Sequence, residues 1–124
     1  MNAYAAIQQA LRPIGLPCVP QHYTGRENRY IEYGYAVVNG GNFGDDRPDC
    51  TVASLQIHLY LPMKENFLPL MAQVREALFD ADFTWPQVQV INEYVDAELE
   101  DGGIRQPLTD MRHIVFECEY EETL

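Results

Sequence analysis

Residues 51–63 read TVASLQIHLYLPM, the segment with the strongest two-residue hydrophobic period in the chain. Apolar side chains recur in it at every second position, which is the period of a strand with one buried face. That face consists of Ala53, Leu55, Ile57, Leu59 and Leu61. We predict the central strand of a sheet here, and we expect it to end at Pro62, because proline has no backbone donor for the ladder.

The run that follows, residues 65–81, has the spacing of a helix. Its apolar side chains recur at intervals of three and four, which places them on one stripe. The stripe consists of Phe67, Leu70, Met71, Val74, Leu78 and Ala81. A strand face and a helix stripe of similar length can bury each other, so we expect this unit to form the centre of the core.

The residues before this unit indicate a helix and two strands. Residues 2–13 predict a helix that Asn2 caps and that stops near Pro13. Residues 16–20 contain two prolines, which favours a short edge strand. Residues 29–38 alternate as a second strand and are aromatic enough to be covered on both faces. The apolar face predicted for this second strand consists of Ile31, Tyr33, Tyr35 and Val37.

Residues 39–49, NGGNFGDDRPD, have no hydrophobic period. Three glycines, one proline and three aspartates predict a mobile loop rather than a strand. Such a loop is longer than the connections that usually join neighbouring elements, which indicates that it has a function of its own.

The C-terminal part predicts a β-hairpin. Residues 82–99 read as a strand with a bulge near Asn92, and residues 98–103 form an acidic, glycine-containing tip. Residues 111–120 resume the alternation of a strand. Its apolar face consists of Ile114, Phe116, Cys118 and Tyr120.

These elements predict an α+β fold: a mostly antiparallel sheet of four to five strands with two helices packed on one face. Only the second helix is a crossover long enough for a parallel pair, so we expect the other neighbours to be antiparallel. The length of 124 residues is that of a single domain.

Composition limits the partners. Nineteen acidic and eight basic side chains give a net charge of −11, which repels both nucleic acid and anionic lipid. We therefore expect protein partners, including basic ones. No run approaches the roughly 20 apolar residues of a membrane span, and the first residues lack the pattern of a secretory signal, so we expect a cytoplasmic protein.

Residues that could carry chemistry are few. The three histidines have no metal-binding spacing, and the three cysteines form no CxxC motif, so we expect small buried hydrophobic residues at Cys18, Cys50 and Cys118. His58 shares a strand face with Gln56 and Tyr60. It either lines a pocket there or is a sheet histidine that hydrogen-bonds a neighbour. No nucleophile motif, calcium-binding loop, phosphate loop or cofactor site is predicted.

The order and spacing of several short segments resemble a known family. The segments are RYIEY at residues 29–33, GDD at 44–46, LQIHLY at 55–60 and RHIVFECEYEE at 112–122, with a short helix before them and an amphipathic helix between the last two. In this order, over nearly the whole chain, they resemble small tail-terminator (tail-completion) proteins of long-tailed bacteriophages and prophages. The chain departs from that pattern in the added residues 39–42 and in His58, where related chains often carry an acidic residue.

The resemblance implies a protein without enzymatic activity, found in the virion tail and in the host cytoplasm during assembly. It implies a ring, typically a hexamer, on the head-proximal end of the tail tube. The implied partners are further copies of the chain, the tail tube protein and the head–tail connector protein, without nucleic acid or membrane. The ring would stop tube polymerisation and offer a surface to the connector.

We expect the contacts of such a ring on the loop and on the hairpin tip. The candidate residues are Phe43, Asp45, Asp46, Asp49, Glu98, Glu100, Asp101 and Arg105. Tyr33 and Tyr35 are either further aromatic anchors or core residues. Two other functions stay open: a head–tail adaptor or other minor virion protein, and a small enzyme or ligand-binding module with a pocket near His58.

Overall fold

The computed structural model describes residues 2–44, 47–91, 94–96, 105–107 and 111–123, with the backbone alone at 39–44, 47–49, 94–96, 105–107 and 123. The helical elements are α1 (Ala3–Leu11), a 3-10 turn (Arg12–Ile14) and α2 (Leu68–Asp80). The strands are β1 (Cys18–Pro20), β2 (Tyr30–Gly44), β3 (Arg47–Pro62), β4 (Gln87–Ile91), β5 (Tyr94–Asp96), β6 (Arg105–Pro107) and β7 (Met111–Thr123).

Five strands form one sheet in the order β1-β2-β3-β7-β4, and β5 and β6 form a separate pair. Every neighbouring pair is antiparallel except β1 and β2. The predicted α+β fold with a mostly antiparallel sheet and two helices is confirmed. The predicted place of the parallel pair is wrong: residues 21–29, which contain no helix, join the parallel neighbours β1 and β2. Because β1 is only three residues long, the chain has to run back over only a short distance before β2 begins, and no helix is needed for that. The second helix does join two strands of the same direction, β3 and β4, but β7 lies between them and pairs antiparallel with both.

The prediction of β3 as the central strand is confirmed. Its five odd-numbered side chains from Ala53 to Leu61 are at most 1% exposed. They belong to one core with buried residues of both helices, so both helices lie on the same face of the sheet. The helix residues buried there are Ala3, Ala6, Ile7 and Leu11 of α1, and Val74 and Leu78 of α2.

The helix ends follow from local chemistry. Asn2 caps α1, because its Oδ1 accepts a hydrogen bond of 2.8 Å from the backbone N–H of Ala5. Gly15 ends the 3-10 turn with a φ of 82°, a conformation that glycine adopts without strain. The second helix begins three residues later than predicted, at Leu68, and Phe67 of the predicted stripe still packs against the core.

Strands β2 and β3 form a long hairpin, and this corrects the predicted loop at residues 39–49. The pairing runs from Tyr30 opposite Tyr60 to Gly44 opposite Arg47, so residues 39–44 and 47–49 are strand. Two strands that are already aligned continue their backbone hydrogen bonds even where the side chains carry no strand pattern, because propensity depends strongly on context. Residues 45 and 46 lie outside the described residues.

A bulge in β2 changes which side chains face the helices. The register shifts between Tyr35 and Val37, so Val37 lies opposite Ser54 and Val38 opposite the buried Ala53. Val38 is therefore on the helix side of the sheet and Val37 on the other side, the reverse of the predicted alternation. The expectation that β2 is covered on both faces is wrong beyond the bulge, where both valines are about half exposed.

The predicted C-terminal hairpin is confirmed for the described residues from Gln87 onward, whereas residues 82–86, predicted as part of the first strand, are a turn and irregular chain that begins with Asp82 at a φ of 73°. Strand β4 pairs antiparallel with β7, and β5 pairs antiparallel with β6 further along the same two arms. The predicted apolar face of β7 is buried at Ile114, Phe116 and Cys118, and Tyr120 packs partly buried against it. The predicted bulge near Asn92 and the tip at residues 97–104 lie outside the described residues.

Candidate assembly surface

The face of the sheet opposite the helices carries a row of stacked rings. Tyr23, Tyr30, Tyr60 and His113 follow one another with centroid distances of 4.6, 4.8 and 4.4 Å, and His58 stacks on His113 at 4.9 Å. The rings of β2, β3 and β7 meet because their positions share one face. In the sequence, the strand positions on this face look polar. Because the rings stack through their apolar faces, they form a continuous aromatic surface there.

Glu32 brings Tyr23 to this row. Its Oε2 accepts a hydrogen bond of 2.6 Å from the backbone N–H of Tyr23 and lies 3.3 Å from Nδ1 of His22. The carboxylate therefore fixes the segment after β1 against the sheet. At the other end of the row, Nδ1 of His58 lies 2.7 Å from Nε2 of His113, so His58 is a sheet histidine with a ring nitrogen as its hydrogen-bond partner.

The cavity next to His58 is small. It has a volume of about 120 Å³ and is lined by Gln21, Tyr33, Gly34, Tyr35, Gln56 and His58. Pockets that hold small organic ligands are usually at least about 300 Å³. The predicted alternative of a substrate pocket at His58 therefore has little room in this conformation.

Larger clefts lie elsewhere. One, of about 360 Å³, is on the face of the sheet opposite the helices, with Val37, Ser54 and Gln56 on one side and Trp85 on another. The second, of about 570 Å³, lies between the helices, and four of its lining residues are alanines. The third, of about 490 Å³, is lined by residues 15–17 and 27–29. Within the described part of the chain, no three His, Cys, Asp or Glu side chains converge as metal ligands.

The first free edge of the sheet belongs to β2. Strand β1 pairs with it only opposite residues 31–33, and from residue 34 to residue 44 no described strand lies on that side. The first residues of this free stretch carry exposed apolar side chains: Tyr35 at 41%, Val37 at 50% and Val38 at 53%. Tyr35 is held there by stacking on Tyr4 at 4.7 Å.

The second free edge belongs to β4, which pairs with β7 alone among the described strands. Val90 of this strand is 38% exposed, and Trp85 just before it is 51% exposed. Phe79 of α2 packs edge-on against Trp85 at 5.4 Å, and the Arg75 guanidinium lies 4.6 Å above the Trp85 ring. The position of this arginine is fixed, because its Nε donates a hydrogen bond of 2.8 Å to the carbonyl of Pro86.

The exposed apolar side chains are thus concentrated at these two edges. Seven large apolar side chains are exposed among the residues with described side chains, and six of them are those of Tyr35, Val37, Val38, Phe79, Trp85 and Val90. The seventh is Leu68. Scattered surface leucines and valines need no explanation, whereas a grouping of this kind indicates an interaction surface.

The free stretches themselves contain no charged residue, although Arg75 of α2 lies over Trp85 and the hydroxyl of Tyr35 donates a hydrogen bond of 3.0 Å to Glu122. Residues 34–44 and residues 83–92 contain no Asp, Glu, Lys or Arg, in a chain of net charge −11. Natural edge strands are normally protected against pairing by charged side chains, prolines or short length. Strand β1 has those protections, being three residues long and ending in Pro20. The two free edges lack a protecting charge.

The structure places only part of the predicted contact set. Asp45, Asp46, Glu98, Glu100 and Asp101 lie outside the described residues. Three others have a described backbone alone: Phe43 in β2 opposite Pro48, Asp49 in β3, and Arg105 in β6 opposite Asp96. Their roles in contacts stay predictions.

The sequence left open whether Tyr33 and Tyr35 are core residues or aromatic anchors of a contact, and the structure places the two differently. Tyr33 is a core residue at 2% exposure, and its hydroxyl accepts a hydrogen bond from Nε2 of Gln8. Tyr35 is exposed and belongs to the β2 edge. Sequence reasoning missed the edge role of Val38, Trp85 and Val90. The absence of charge from residues 83–92 was the available signal.

The cysteines behave as predicted where they are buried. Cys50 and Cys118 are 4% and 5% exposed, and Cys18 is partly buried. Burial raises the pKa of the Cys18 and Cys118 thiols to about 12, which keeps both protonated and unreactive.

Among the described residues, no helix has the length and apolar character needed to cross a bilayer.

The chain matches no protein-family model and no curated protein. The features that bear on its function are therefore the two uncharged sheet edges and the aromatic face between them.

Proposed function

We propose that this chain is a tail-terminator protein of a long-tailed bacteriophage or prophage. It assembles as a ring on the head-proximal end of the tail tube, stops tube polymerisation and joins the tail to the head. One observation carries the proposal: among the residues with described side chains, six of the seven exposed large apolar side chains lie at or beside two opposite edges of a single sheet. Two different patches on one subunit favour a head-to-tail contact, and such contacts close into a ring when the rotation between subunits closes.

The composition of the patches supports a ring over a two-fold dimer. One patch consists of Tyr35, Val37 and Val38, and the other of Trp85, Phe79 and Val90. A two-fold contact needs a patch that complements itself, whereas these two differ in their residues and lie at opposite edges of the sheet. Aromatic side chains at the second patch are the kind that dominate binding energy at interfaces.

Charge supports contacts at these edges. Copies with a net charge of −11 repel one another over most of their surfaces. Contact is least unfavourable where both surfaces are uncharged, and residues 34–44 and 83–92 meet that condition. The ordered segments resemble those of tail terminators, and this resemblance indicates that the ring is a terminator ring on the head-proximal end of the tail tube.

The first test is the mass of the purified protein by light scattering after size exclusion, over a wide range of concentrations. We expect the mass of a ring, or a rise toward it with concentration. The second test adds the chain to polymerising tail tube protein and measures tube length by electron microscopy. We expect shorter tubes with added density at one end.

The outcomes separate the competing functions. A chain that stays monomeric at every concentration and binds no tube end would contradict the proposal. A ring that leaves tube length unchanged but binds the head–tail connector would assign the adaptor role instead.

His58→Ala is the variant that tests a catalytic function. Loss of a catalytic base costs roughly 100-fold or more in rate, whereas ring formation and tube capping should survive this substitution.

A further inference from the structure

We propose that neighbouring subunits join by strand pairing: β4 of one subunit adds to the free edge of β2 in the next subunit. The pairing is antiparallel and places Val90 of one subunit beside Val38 of its neighbour. This inference rests on the ring proposed above and names the contact that builds it. The sheets of successive subunits then continue around the ring without a free edge.

Both edges offer the backbone groups that such pairing needs. Residues 34–44 of β2 have no partner strand among the described residues on the side that β1 leaves open, and β4 has none on the side away from β7. A row of unpaired N–H and C=O groups is a template for a further strand. β1 covers the edge of β2 only opposite residues 31–33, so it does not obstruct the stretch beyond.

The topology of the subunit fixes the direction of pairing. β2 is antiparallel to β3, β3 to β7, and β7 to β4. After three reversals, β4 runs opposite to β2 within one subunit. Rotation about a ring axis that runs along the strands reverses no strand, so β4 meets the β2 of the next subunit in antiparallel orientation. That is the slightly more stable kind of pairing.

The side chains on the helix side of the sheet match across the contact. Val38 pairs with the buried Ala53, and Val90 pairs with the buried Ile114, so both valines face the side on which the helices pack. In a sheet that continues from subunit to subunit, this side is common to all of them. The two valines, 53% and 38% exposed in the single subunit, then cover each other.

The opposite face is compatible with the same contact. Val37 lies on that face because it pairs with Ser54, and Gln89 of β4 lies there opposite Val115. Trp85, just before β4, and Phe79 of α2 pack against each other beside the start of the strand. Residues 34–44 and 83–92 bring no charged side chain to this contact. The charged groups that touch these stretches are Arg75 of α2, over the Trp85 ring, and Glu122, which accepts a hydrogen bond from Tyr35.

The decisive experiment mixes two single-cysteine variants, Val38→Cys and Val90→Cys, and treats the mixture with a mild oxidant or a short bis-maleimide. Side chains directly opposite on paired strands are roughly 4.5–5.5 Å apart and diagonal ones roughly 7–8 Å, so the two reagents cover a small change of register. We expect covalent dimers in the mixture and not in either variant alone. The double variant should give a ladder of cross-linked species that ends at the number of subunits in the ring.

Two controls limit the interpretation. The unmodified chain, with Cys50 and Cys118 buried and Cys18 partly buried, should not cross-link. Gln73→Cys, on the exposed surface of α2, reports on random collisions and should give no dimers when mixed with Val38→Cys. Circular dichroism confirms that each variant is folded.

Amide hydrogen exchange tests the same contact without substitutions. Residues 87–91 and the free stretch of β2 should gain protection when the concentration is raised from monomer to ring, and unchanged exchange at these residues would overturn the inference. Val38→Cys alone forming dimers would indicate a two-fold β2–β2 contact and would also overturn it.

The result also separates this inference from the proposed function. A ring mass without cross-linking in the mixture would remove the strand pairing and leave the ring proposal standing. Cross-linked rings that do not change tube length would confirm the contact and contradict the tail-terminator function. A monomer that never cross-links would overturn both.

Discussion

Nδ1 of His58 and Nε2 of His113 lie 2.7 Å apart, with the two imidazole rings stacked across β3 and β7. One nitrogen donates and the other accepts, so the contact requires that the accepting ring be neutral. Burial lowers the pKa of His58 below its ordinary value of 6.5, and His113 lowers it further, while Glu32 and Glu117 act in the opposite direction. Protonation of His58 therefore weakens the fold.

The first prediction is a loss of stability in mild acid. Because the pKa of His58 is lower in the folded chain than in the unfolded chain, its contribution to stability is complete above pH 6.5 and is lost as the pH falls through the folded value. Denaturant unfolding at about pH 8 and about pH 5 should give a lower free energy of unfolding at the lower pH. His58→Gln should reduce this difference.

The matched control for that variant is His22→Gln, because the side chain of His22 is 81% exposed. It should leave the pH dependence close to that of the unmodified chain. An equal pH dependence in the unmodified chain and in His58→Gln would show that other groups cause the loss.

The second prediction concerns the core beneath β3. Ile57 is completely buried between the sheet and the two helices, so Ile57→Ala removes packed atoms and leaves a cavity. We expect the free energy of unfolding to fall by about 2–5 kcal/mol. Leu68→Ala, at a position 54% exposed, should change it by less than about 0.5 kcal/mol. Similar losses in the two variants, measured by denaturant unfolding, would mean that β3 is not the centre of the core.

The third prediction concerns the edge of β2. Val38→Lys places a charge at the proposed contact, and we expect association to weaken by about tenfold or more, or about 1.4 kcal/mol per tenfold. The variant should unfold at the same denaturant concentration as the unmodified monomer, because Val38 is exposed. Sedimentation equilibrium measures the association and circular dichroism the unfolding.

Leu68→Lys is the matched control for Val38→Lys. Leu68 is as exposed and as apolar as Val38, but it lies at the start of α2 rather than at either sheet edge. Its substitution should leave association unchanged. If both lysine variants weaken association equally, the effect is one of added charge or general solubility rather than of the edge.

The fourth prediction uses salt to distinguish the two kinds of contact considered for the ring. Self-repulsion between chains of net charge −11 is screened as the Debye length falls from about 30 Å at 0.01 M to about 10 Å at 0.1 M salt. Contacts through the uncharged edges should therefore strengthen with salt. Contacts that depend on ion pairs between the predicted acidic residues and Arg105 should weaken with salt. Light scattering across this range of salt concentrations would show whether association strengthens or weakens.

Several parts of the fold could be predicted because they depend on neighbours along the chain. The alternation of Leu55, Ile57 and Leu59, the side-chain cap at Asn2 and the stripe through Val74 and Leu78 are all local patterns. A strand with one buried face or a helix with one apolar stripe has few ways to bury those side chains. The central strand and the two helices followed from them.

The assembly surface could not be predicted in the same way, because exposure depends on long-range packing. Val88 and Val90 have the same periodicity in β4, yet Val88 packs against the core and Val90 is exposed. The bulge after Tyr35 reverses the sides of Val37 and Val38, and no local pattern announced it. The stacked row from Tyr23 to His58 joins residues from separate elements of the fold.

Hydrophobic periodicity and capping act within a few residues, so the sequence alone was enough to predict the central strand, the two helices and the faces that these elements bury. Three features became evident only in the folded chain: β1 joins β2 in parallel, the β2–β3 pairing continues to Gly44, and two uncharged edges have no partner strand among the described residues. The physical reason is that backbone hydrogen bonds between strands carry no side-chain code. Which strand pairs with which, and where pairing stops, is settled by the packing of the whole chain.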